Sequence, residues 1–220
     1  MNSSTRIRPL RTAFGIIRRD RRAYLALNLA FYGVLVLAAV AAGAFPWLRE
    51  AAQHGTDPNA DPTNHLFVAT YGTGDVLGAA GITFVVNLLI GALLWQTAPS
   101  LVVPFAGVAL GLVRLVGWGM IFTPSGADDL AWFVPHGVTA LLEAQGYVLA
   151  ALASWVHGRK FLRPRRFGLE TRRAGYAAGL ADALRLYPLV VVVLAVAALW
   201  EAVELIHLVP DEFLQWWLGR

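Results

Sequence analysis

Residues 23–45, AYLALNLAFYGVLVLAAVAAGAF, run for 23 residues without a charged side chain. A helix rises about 1.5 Å per residue, so a run of this length crosses the roughly 30 Å hydrocarbon core of a bilayer. Four further apolar stretches follow, at 76–96, 104–122, 135–156 and 188–209. Inside a bilayer each backbone N–H and C=O must find its partner within the protein, so such stretches are helices. The chain therefore reads as an all-α, polytopic membrane bundle of about five transmembrane helices, one integral membrane domain over 1–220. Pro104, Pro135 and Pro188 stand where three of the stretches begin. A first-turn residue loses nothing by lacking an N–H. Charged residues are only 15% of the chain, against about a quarter in soluble domains, which is too few to cover a water-facing surface of this size. Cysteine is absent, which excludes disulfides, thiolate metal sites and a thiol nucleophile.

The net charge of +4 is a topology signal rather than a nucleic-acid signal, because the basic residues flank apolar runs. Residues 1–24 carry seven arginines, and 157–187 carry eight basic residues. The segment 46–75 carries Arg49 against Glu50, Asp57, Asp61 and Asp75, and Asp128 and Asp129 occupy the turn before the fourth stretch. The positive-inside rule then sets the N-terminus in the cytoplasm and the C-terminus outside, in a multi-pass protein of the cytoplasmic membrane. The 23-residue first stretch exceeds the 7–15 residues of a signal-peptide core, so it reads as a span despite Ala42-Gly43-Ala44 and Arg21-Arg22. Residues 1–22 mix arginines with Leu10, Phe14, Ile16 and Ile17, which predicts a cytoplasmic, basic, amphipathic helix on anionic lipid. The loop 46–75 reads as irregular, the segment 157–187 as cytoplasmic, and Trp216 and Trp217 as anchors in the outer interface.

Ionisable groups at membrane depth cost roughly 2.5–3.5 kcal/mol each, so they face protein and mark sites. Counting along the five spans places Arg114, Glu143 and Glu201 about 12 Å below the outer ends of their helices. Glu204 lies about 8 Å deep and His207 about 3 Å deep, with His136 at the rim. The expectation is one polar cluster of Arg114, His136, Glu143, Glu201, Glu204 and His207. Arg114 is expected to pair with Glu143 or Glu201. Three chemistries fit these residue types. They are a structural ion-pair network, a substrate or proton pathway, and a metal site on the Glu201–Glu204–His207 spacing. Only one Glu-x-x-His copy is present, so no metal, cofactor or catalytic residue is assigned. Gly107 and Gly111 form a small-xxx-small face, and Asn28 and Asn87 are expected to bond across helices. The uncharged link between the second and third stretches is either a tight turn or a re-entrant break. Phosphate-loop, dinucleotide-binding and hydrolase motifs are absent.

Asn87, the glycines 107, 111, 117 and 119, and Pro135-His136-Gly137 followed by Glu143 resemble the stage II sporulation protein M family. The basic segment before a last span fits the same layout. In this chain the glutamate comes one turn later than the family pattern, with Ala140 in the earlier place, and the family's Asn-Gly pair is missing from the third span. The resemblance implies a non-catalytic scaffold or complex subunit in a bacterial inner membrane. It would bind other membrane or envelope proteins, with a homodimer among the arrangements and no nucleic acid. Gly137 would serve helix packing there. The alternatives are a transporter or channel subunit using the Arg/Glu/His cluster, and an intramembrane metalloenzyme through His136, Glu204 and His207.

Overall fold

The computed structural model describes residues 8–54 and 62–217, and among them every regular element is helical. Helix α1 (Arg8–Arg19) precedes α2 (Arg21–Ala44), and the outer segment holds α3 (Pro46–His54) and α4 (Pro62–Tyr71). Helix α5 (Val76–Val85) continues through a π-helical stretch (Val86–Thr97) into α6 (Ala98–Val102). Then come α7 (Ala106–Ile121), α8 (Leu130–Leu162), α9 (Arg172–His207) and α10 (Asp211–Trp217). Four helical runs are long and apolar enough to cross a membrane: Arg21–Ala44, Val76–Val102, Leu130–Leu162 and Arg172–His207. The third apolar stretch is the shorter α7, whose 16 residues reach only about 24 Å.

Several boundaries differ from the sequence reading. The segment 46–75 is not irregular: Pro46 and Pro62 each open a helix, and Asp75 caps α5 by accepting from the Leu77 N–H at 3.1 Å. The turn signals of that segment concentrate in 55–61, outside the described residues. Pro135 and Pro188 do not start helices but sit inside α8 and α9. An internal proline frees only the carbonyl four residues earlier, Ala131 for Pro135, which a membrane helix tolerates; the Pro135 carbonyl accepts the Trp200 indole N–H at 3.2 Å and ties α8 to α9. The link after the second stretch is a tight turn at 103–105, where the Ser100 hydroxyl accepts the Gly107 N–H at 2.6 Å. Asn28 bonds back to the Tyr24 carbonyl within α2 rather than across helices. The anchor roles expected of Trp216 and Trp217 lie outside the described side chains, as do Arg6, Asp57, Asp61 and Arg220.

The chain divides into two compact units. Unit 1 comprises Met1–Phe31, Leu88–Val113 and Gln145–Val193, and unit 2 comprises Tyr32–Asn87, Arg114–Ala144 and Leu194–Arg220. In unit 1, α1 buries Ala13 and Ile16 while Arg11 and Arg18 stay exposed, the three-residue spacing of an amphipathic stripe. Helix α7 packs through glycine. A Cβ at Gly107 would overlap the Gln96 carbonyl, and one at Gly111 would lie 2.7 Å from Phe31. Between α8 and α9 the chain turns at Gly168, whose φ of +69 is the left-handed geometry that closes a helix end. In unit 2, a cluster of Tyr71, Ala79, Ala202, Leu205 and Phe213 forms the apolar core.

Candidate functional site

The polar site lies within unit 2 and is assembled by helical spacing. His136 and Glu143 are seven residues apart on α8, which leaves them within about 20° of one face, with Thr139 between them. Glu201 and Glu204 share a turn of α9, and Thr83 lies one turn before Asn87. All seven side chains are buried. The His136 Nδ1 and the Glu204 Oε1 are 2.6 Å apart, joining α8 to α9. Asn87 donates its Nδ2–H to Glu143, joining the second span to α8. Glu143 on α8 and Glu201 on α9 line the same cavity, both buried. Arg114 lies over the Trp118 ring with its Cζ 5.0 Å from the centroid, and its charge acts on Glu143.

Six of these groups, Thr83, Asn87, His136, Thr139, Glu143 and Glu201, help line a cavity of about 150 Å³. Phe122, which also lines it, lies 4.5 Å from the His136 ring, centroid to centroid. Thr139 Oγ1, Glu201 Oε2 and Glu204 Oε2 are buried without a hydrogen-bond partner. Buried polar groups ordinarily find partners, so this chamber keeps accepting capacity to spare. Chemically it can hold protons on carboxyl and imidazole groups, or accept hydrogen bonds from a small polar solute.

The structure brings Asn87, His136, Glu143, Glu201 and Glu204 together and sets Arg114 within electrostatic reach. His207 does not join them; it is exposed. Each three-residue step on a helix falls about 60° short of a full turn, so the third member of Glu201–Glu204–His207 faces away from the first. The metal reading loses its third ligand, and among the described residues no three His, Asp or Glu side chains are placed so that they could hold one metal ion. Gly137 also departs from expectation, since a Cβ there would meet nothing within 4 Å. It is not a packing glycine.

Sequence reasoning overlooks Tyr71 and Thr83, whose hydroxyls lie 2.7 Å apart beside the chamber. Tyr71 belongs to a segment whose composition is that of a loop. Also overlooked is an ion-pair clamp in unit 1. Asp182, buried in α9, receives Lys160 at 2.6 Å, Arg19 at 2.7 Å and Arg185 at 3.0 Å, while buried Asp20 receives Arg159 at 2.6 Å and Arg19 at 3.0 Å. The only signal for it is the scarcity of acids inside the basic blocks: Asp20 in the first, Glu170 and Asp182 in the second. No protein-family model, no curated protein and no solved structure matches the chain.

Proposed function

We propose that the chain is a subunit of a membrane transport or channel assembly whose unit 2 chamber takes up and releases protons. The observation that carries this reading is the imbalance of the chamber. Three buried carboxyls face one imidazole and one guanidinium, and two carboxyl oxygens remain without partners. A network serving only to fix helix register satisfies its members. One with unpartnered oxygens on buried carboxyls is suited to exchange. Five crossings with the N-terminus inside accompany this reading. They are supported by α7, which contributes Ala106–Val113 to unit 1 and Arg114–Ile121 to unit 2, as the four longer runs each contribute to both.

The test uses the full-length protein, with whatever co-purifies, in liposomes loaded with a pH-sensitive dye under an imposed potential. Proton entry should be faster with the native chain than with Glu143→Gln or Glu201→Gln. Equal rates in all three would overturn the reading.

A second reading, a non-catalytic scaffold similar to stage II sporulation protein M, draws support from the motif Pro135-His136-Gly137. Its histidine bonds a neighbouring helix, a use suited to architecture. It predicts envelope proteins that co-purify with the native chain and are lost together in His136→Ala.

A further inference from the structure

Unit 1 contains a separate cavity of about 370 Å³ at the hairpin between α8 and α9. Its apolar walls include Phe105, Trp155 and Phe167, and its polar walls are Arg159, Arg163 and Arg166. Phe105 has a φ of +69, a conformation that is strained for a bulky residue and persists only where surroundings fix it. Its ring packs on Trp155 with centroids 5.1 Å apart, and it fits because position 158 is glycine, where a Cβ would lie 2.7 Å from the ring.

Two donors at this site are unused. The Trp155 Nε1 and the Arg159 Nε are buried without a hydrogen-bond partner, an unfavourable state unless something accepts from them. Arg159 spends its Nη2 on Asp20 and lies 5.2 Å from the Phe167 ring. Arg163 and Arg166 are exposed, and among the described residues they form no ion pair. Exposed cations against aromatic walls call for an anion attached to something apolar. The cavity also sits where an apolar span meets a basic segment, the level of lipid headgroups.

We propose that this cavity binds the phosphate of an anionic glycerophospholipid. Arg163 and Arg166 take the phosphate oxygens, with the Arg159 charge behind them. The glycerol and first acyl carbons lie on Phe105 and Phe167. The site is independent of the proton chamber and stands whether or not that reading does.

Native mass spectrometry of the detergent-purified full chain tests it, with phosphatidylglycerol or phosphatidylcholine added. The native protein should retain one phosphatidylglycerol in preference to phosphatidylcholine. Arg163→Gln/Arg166→Gln should weaken that binding on the order of tenfold or more. Arg165→Gln removes a charge from an exposed residue outside the cavity and should change it by less than about twofold. Equal retention of the two lipids by the native chain would overturn the proposal, whatever the variants do. So would an equal loss in Arg165→Gln, which would mean diffuse surface attraction. Displacement of the lipid by an equal concentration of inorganic phosphate would overturn it too, in favour of a free-anion site.

Discussion

At the scale of the residue, the glycines divide by what a methyl group would meet. Gly107→Ala drives a Cβ into the Gln96 backbone, which cannot swing aside as a side chain can. The expected loss is about 1–3 kcal/mol, read as a lower Tm in detergent. Gly137→Ala meets open space and should leave the Tm unchanged or slightly higher, since alanine favours helix by up to about 1 kcal/mol. A comparable loss in both variants would contradict the close packing of α7. The buried pair makes a sharper case. His136→Ala strands the Glu204 carboxyl, which is fully buried. Leaving such an acceptor unpaired costs about 1–3 kcal/mol, so unfolding of His136→Ala should come earlier. His207→Ala, at an exposed position, should change stability by less than about 0.5 kcal/mol.

At the scale of the element, the turn before α8 depends on Asp129. The Ser125 backbone N–H bonds its carboxylate at 2.5 Å, and the Trp132 indole N–H at 3.2 Å. The Ser125 hydrogen bond is the largest influence and holds its pKa below the ordinary carboxylate value. A lowered folded-state pKa means that the contribution is complete above the unfolded value and lost as pH falls through the folded one. Exchange protection in the first turn of α8, taken relative to the intrinsic rate at each pH, should therefore fall on acidification below about pH 4, and Asp129→Asn should abolish that fall. The spacing along α8 and α9 makes His136, Glu143, Glu201 and Glu204 legible in the sequence, because regular helices convert residue number into face and depth. The second span is less legible. Nine residues separate Asn87 from Gln96, which α winding sets on opposite faces. The wider i→i+5 turns of Val86–Thr97 bring both to a buried face. Apolar sequence alone does not announce that change of winding. The Asp182 clamp is hidden for a different reason, since charge counted by block conceals which single acid the cations surround.

At the scale of the whole molecule, topology and function rest on separate features. The absence of native cysteine allows single thiols to report sidedness. With five crossings, Ser125→Cys is labelled by an impermeant reagent from outside, and Thr171→Cys only after the membrane is opened. Labelling of both from one side would contradict the five-span arrangement. The proposed function rests on the buried carboxyl chamber holding an exchangeable proton. Infrared difference spectroscopy of the full-length protein in lipid nanodiscs, recorded against pH, tests that proton most directly. A protonated-carboxyl carbonyl band should appear and change with pH, and it should be lost or shifted in both Glu143→Gln and Glu201→Gln. A spectrum without such a band, or a band indifferent to both substitutions, would contradict the proton-carrying chamber.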